Sequence, residues 1–206
     1  WWLWSCRFAV KVEEWKGEGF PLFCLVNMRH AHRTRIIHAG APLRCCAMTP
    51  EARNDAPPSP WIVRHASLLR AGGRVLDVAC GGGRHVGWLR QRGHTVFAVD
   101  RNAEALAGLR DLAQVQVADL EAGPWPYGEQ TFDAVVVTNY LWRPLLPRIV
   151  EAVAPGGFLF YETFALGQAS VGKPSNPDFL LRPGELLDAA RPALRVLPFE
   201  GGFVQA

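Results

Sequence analysis

No apolar run in this chain approaches the ~18 residues that span a bilayer, so no transmembrane helix is legible. Lysine is almost missing: after residue 47 the only one is Lys173. A phosphate loop of the Gly-x4-Gly-Lys-Ser/Thr kind needs a lysine beside its glycines, and that reading falls away. Glycine is short by one where it would count. Gly81-x-Gly83 runs on into Arg84, His85 and Val86, so the third glycine of the Gly-x-Gly-x-x-Gly dinucleotide fingerprint is absent. Cysteine is sparse and irregular, with Cys6, Cys24, Cys45 and Cys46 near the start and only Cys80 later. An odd count without regular spacing does not suit a secreted disulfide framework, and a cytoplasmic location is expected. Basic charge is lacking where a nucleic-acid surface would need it. Residues 1–47 hold seven Lys/Arg against three Glu, whereas residues 48–206 hold fifteen against sixteen acids.

What remains is an ordinary globular composition, 49% hydrophobic and 20% charged, in 206 residues, enough for one sizeable core. The first 47 residues look foreign to it. They are rich in tryptophan, contain Met28 but no initiator, and show no helical or strand periodicity. They are expected to lie outside the fold, disordered or translated upstream of a start at Met48. His30, His32, His38, Cys45 and Cys46 do not have zinc-site spacing, and no metal is expected. Residues 48–73 form a proline-rich lead-in and a first helix, with Ser59 as cap and Pro60 at the first helical position.

From residue 74 apolar strands alternate with helical segments. Strands are expected at 74–79, 95–99, 115–118, 133–138, 158–162 and 194–199, with Gly201-Gly202 as a turn. This pattern predicts an α/β domain over 74–206, a doubly wound and mostly parallel sheet of six visible strands. Right-handed crossovers then bring Gly81–Gly83, Asp100, Asp119 and Asn139–Tyr140 to one sheet edge, where such sheets bind ligands. Asp77 and Asp100 end adjacent strands one strand–helix–strand unit apart, the arrangement that a nucleoside ligand requires.

Asp77, the turn Ala79-Cys80-Gly81-Gly82-Gly83, Asp100 and Asp119 together resemble the motifs of class I S-adenosylmethionine (SAM)-dependent methyltransferases, over about Val75 to Glu162. Residues 137–144, 161–164 and 174–187 further resemble small bacterial methyltransferases of the tellurite-resistance type. The resemblance implies a Rossmann-like fold and SAM as methyl-donor cosubstrate. It implies that Ala79, Cys80, Gly81 and Gly83 pass close to the methionine part and that Asp77 orders the turn. It places Asp100 on the ribose, Arg101 and Asn102 beside the adenine, Asp119 and Leu120 on the adenine edge, and Asn139 and Tyr140 near the sulfur. His85, Tyr140 and Glu162 are the catalytic candidates, and loop 165–182 is placed to cover the site. A small-molecule acceptor is expected, be it a thiol, a metalloid or a carboxylate. Asn139-Tyr140-Leu141-Trp142 lacks the proline pair of enzymes that methylate amino groups of adenine or glutamine. A nicotinamide-dependent oxidoreductase and a non-enzymatic SAM-binding module are the alternatives. The sheet of this family closes with an antiparallel strand. The chain stops about where that strand would begin, so either the sheet is completed otherwise or the sequence is truncated.

Overall fold

The computed structural model describes residues 2–11, 56–190 and 195–205. Seven strands form one sheet: β1 (Trp2–Lys11), β2 (Arg74–Val78), β3 (Thr95–Asp100), β4 (Gln114–Val117), β5 (Phe132–Thr138), β6 (Val153–Phe164) and β7 (Arg195–Gln205). Their order is β4-β3-β2-β5-β6-β1-β7. The block from β4 to β6 is parallel throughout, as the alternating pattern requires. Five α-helices accompany it: α1 (Pro60–Arg64), α2 (Val86–Gln91), α3 (Ala103–Ala107), α4 (Leu146–Glu151) and α5 (Glu185–Ala190).

Alternation along the central strands divides the core between the two sheet faces. Leu76 and Val78 of β2 join Val135 and Val137 of β5 in one cluster, with Ile149 of α4 and Leu186 of α5. Val75, Ala134 and Val136 point the other way, to Trp61 and Ile62 of α1 and Val86 and Leu89 of α2. A strand buried on both faces reads as an unbroken apolar run, which is why Ala134–Val137 shows no polar alternation.

Two expectations need correction. Residues 2–11 do not stand outside the fold. β1 lies between β6 and β7 and pairs antiparallel with both, Phe8 facing Tyr161 on one side and Phe199 on the other. β1 is thus the antiparallel strand of this sheet, seated between β6 and β7. Its Trp, Phe and Val residues are of the aromatic and β-branched kinds that favour strands. Gly201 and Gly202 form no turn either. They lie within β7, opposite Cys6 and Ser5, so that strand runs well past Phe199. His30, His32, His38, Cys45 and Cys46, like the rest of 12–55, lie outside the described residues.

The helix starts are local. The Ser59 hydroxyl accepts the Ile62 N–H at the head of α1, and Asn102 Oδ1 accepts from Glu104 and Ala105 at the head of α3. No helix among the described residues is long and apolar enough to cross a membrane.

Candidate active site

The carboxyl edge of β2–β5 carries a cavity of about 610 Å³. It is bounded by the glycine turn after β2, by Asp100, Arg101 and Asn102 after β3, by Asp119 and Leu120 after β4, and by Asn139 and Tyr140 after β5. Four loops far apart in sequence thereby converge because their strands are parallel neighbours.

The turn is built for close approach. Gly81 and Gly83 have φ of +54° and +72°, and a Cβ at Gly83 would come within 2.5 Å of Leu109 Cδ1. Ala79 also takes the left-handed region, at φ +51°, a conformation that glycine adopts without strain. Beneath the turn, Asp77 is fully buried, and neither carboxylate oxygen has a hydrogen-bond partner among the described residues. Burial pushes this carboxyl up to about 7, Arg84 offsets part of the rise, and Asp100 adds to it. Cys80 is likewise pushed up by burial, aided by Asp77 and Asp100, and so stays a thiol.

Asp100 anchors two segments at once. Its Oδ2 accepts the Gly81 N–H at 2.8 Å and its Oδ1 accepts the Asn102 N–H at 2.9 Å. On the next loop Asp119 Oδ1 accepts from Glu121 and Ala122, which lowers its pKa and leaves the exposed carboxylate charged. The corner after β5 is held from β6. The Asn139 N–H, at φ +55°, donates to the Glu162 carbonyl at 2.8 Å, and the buried Tyr161 hydroxyl donates to the Tyr140 carbonyl at 2.9 Å.

The three catalytic candidates separate. Tyr140 lines the cavity. His85 does not: it is buried, its Nε2 accepts the Ser59 N–H at 3.1 Å, and its Nδ1 lies 3.8 Å from Asp77. Burial, with Arg84 beside it, pushes His85 down to about 3, so the ring is neutral with its lone pair already used. Glu162 is also buried and accepts the Ser59 hydroxyl. Through Ser59, His85 and Glu162 clasp the lead-in to the glycine turn and to β6. Ala56, three residues before Ser59, consequently reaches the cavity wall.

A second cavity of about 220 Å³ adjoins the first and shares Glu121, Asn139 and Tyr140 with it. Leu141 and Phe164 line it, and Pro174 and Phe179 of loop 165–182 close its far side. One guanidinium holds that loop. Arg143 donates to both oxygens of Glu185, at 2.5 and 3.0 Å, and to the carbonyls of Asp178 and Leu180, at 2.7 and 2.9 Å. The sequence points to both loops but not to this clamp or to Glu121. Only the motif position of Arg143, four residues after Asn139, gives a signal.

Residues 75–157 match the methyltransferase domain family. An Acinetobacter baylyi ubiquinone biosynthesis O-methyltransferase is 35% identical over 115 residues, which covers 50% of this chain and 48% of that protein. The chain spans about half the length of the curated relatives it matches. Among solved structures, a SAM dependent methyltransferase from Aquifex aeolicus superposes with a TM-score of 0.50 at 20% identity, covering 69% of this chain and 88% of that one. A TehB-like SAM-dependent methyltransferase from Corynebacterium glutamicum gives a TM-score of 0.48 at 24% identity, covering 62% of this chain and 68% of that one. The fold expected from the motifs is therefore present, and residues 75–157 are similar to methyltransferase domains, for which SAM is the methyl donor.

Proposed function

We propose that the chain transfers a methyl group from SAM to a small-molecule acceptor, with the larger cavity as donor site and the smaller as acceptor site. The observation that carries this is the shared wall. Glu121, Asn139 and Tyr140 border both cavities, so a donor and an acceptor seated in them meet at the corner after β5.

The residues present fit the donor. Asp77 lies buried beneath the turn and outside the cavity wall, so its unpartnered carboxyl would favour an ammonium group over the turn through its charge rather than by contact. A Cβ built at Gly81 would have nothing within 4 Å, so the cavity wall there leaves room for a chain passing over the turn, while Gly83 lets the turn pack closely on Leu109. Asp100 keeps lone pairs beyond its two backbone bonds for the ribose hydroxyls, Arg101 and Asn102 border the base, and Asp119 and the Leu120 amide meet its edge. When bound, SAM supplies an already activated methyl group on a sulfonium centre.

The protein's own task is then alignment and exclusion of water. Tyr161 and the Glu162 carbonyl fix the corner that carries Asn139 and Tyr140. Tyr140 turns an aromatic ring to the region of positive charge, an arrangement that favours cations. Arg143 keeps Pro174 and Phe179 over the acceptor side. Among the described residues, no base lines the smaller cavity other than Glu121, so acceptors that lose their proton readily, or need not lose one, are favoured.

Incubation of the full chain with SAM and a panel of thiols, phenols, amines and metalloids tests this. Demethylated SAM accumulating with at least one acceptor is the expected result. Tight binding of demethylated SAM without turnover of any acceptor would make the chain a binding module.

A further inference from the structure

The smaller cavity has an electrostatic character that bears on its occupant. Among the described residues, Glu121 is the one charged side chain on its wall; the other lining residues are aromatic, aliphatic or neutral polar. No cation among the described residues forms part of the wall. Arg143 is committed to Glu185 and two carbonyls. Arg101 lines only the larger cavity, and exposed Lys173 lines neither. An anionic ligand would therefore enter beside a carboxylate, with no cationic side chain among the described residues on the wall.

One polar group is unspent. The Tyr140 hydroxyl is buried and has no hydrogen-bond partner among the described residues. Burial first, then Glu121 and Asp119, keep it a neutral phenol despite Arg101. Buried hydroxyls left alone cost free energy, so a ligand atom that pairs with this one is stabilised by it.

Resting on the reading of the smaller cavity as the acceptor site, we infer that it selects small acceptors with an apolar or aromatic body that are neutral or cationic, and that Glu121 disfavours anionic ones. The carboxylate acceptors admitted by the sequence are thereby set aside. Phe164 and Phe179 take the body, the Tyr140 hydroxyl takes the polar atom, and Glu121 sets the sign of charge.

The test uses the full chain saturated with demethylated SAM, and three probes of one size: benzylamine, benzyl alcohol and benzoate, titrated by ligand-observed NMR. Benzylamine and benzyl alcohol should bind, with benzoate weaker by about fivefold or more, the effect of one like charge at short range in a solvated site. Glu121→Gln should bring benzoate within about twofold of benzylamine, and Glu121→Lys should invert their order, both by the same Coulomb argument. Tyr140→Phe should weaken benzyl alcohol. Benzoate binding as tightly as benzylamine, an unchanged ratio in Glu121→Gln, or failure of all three probes to bind the saturated chain would overturn the inference. Failure of demethylated SAM to bind would show up before any probe is added, and would overturn the function from which the inference starts.

Discussion

Replacing Asp100 tests the donor site at its most specific point. The side chain ends β3 and already accepts the Gly81 and Asn102 N–H groups at 2.8 and 2.9 Å, so its orientation is set before any ligand arrives. Each charge-assisted hydrogen bond it makes to a ribose hydroxyl contributes about 1.5–3 kcal/mol. Asp100→Ala removes both acceptors and should weaken binding of demethylated SAM by at least about tenfold if one bond is lost, and by about a hundredfold or more if two full bonds are lost. Asp100→Asn keeps one acceptor oxygen but puts an NH₂ donor against a backbone N–H, so it should fall between Ala and the parent chain. Calorimetric titration gives the affinities, and thermal unfolding without ligand checks that each variant is folded. A folded Asp100→Ala chain that binds within twofold of the parent would refute the placement of the ribose on this carboxylate.

Asp77 predicts a pH signature. Its carboxyl titrates at about 7 when folded against 3.8 when free, so the folded chain holds a proton that the unfolded chain releases between those values. Its contribution to stability is present below about 4, falls as pH rises to about 7, and is then constant. The stability gain of Asp77→Asn over the parent, read by urea unfolding, should therefore grow from pH 4 to 7 and level off above. His85 has the opposite slope, but it is common to both chains and drops out of the difference. A chain beginning at Met48 lacks β1, leaving an edge of β6 open and β7 without its ladder partner. It should be less stable and more prone to aggregate than the full chain, and equal melting temperatures would contradict this. Arg143→Lys cannot reproduce a fork with four acceptors. It should raise the acceptor KM several-fold while leaving the affinity for demethylated SAM unchanged, and kinetics with calorimetry separate the two.

The parallel block was legible because its signals are local. An apolar run followed by glycines, and acids closing successive strands, need only neighbouring residues to be read, and topology then gathers Asp77, Gly81, Asp100 and Asp119. β1 was not legible because its meaning depends on partners some 150 residues away. Trp2–Lys11 carries strand propensity but no mark of where it pairs. The Gly201-Gly202 turn failed for a related reason, since a strand that pairs with β1 continues through glycines that would otherwise end it. The ties of His85 and Glu162 to Ser59 were not legible either, because sequence gives the type of a side chain but not its burial. Both are occupied by Ser59, a helix cap whose reach across the sheet has no local signature. Arg143 and Glu185, 42 positions apart, form their pair only once the loop has folded back.

The central claim is that the carboxyl edge of this sheet holds SAM. Titrating the full chain with demethylated SAM and, separately, with NADH tests it most directly. Binding of one demethylated SAM per chain with no NADH binding is the predicted result. NADH binding to a chain that ignores demethylated SAM would contradict the account.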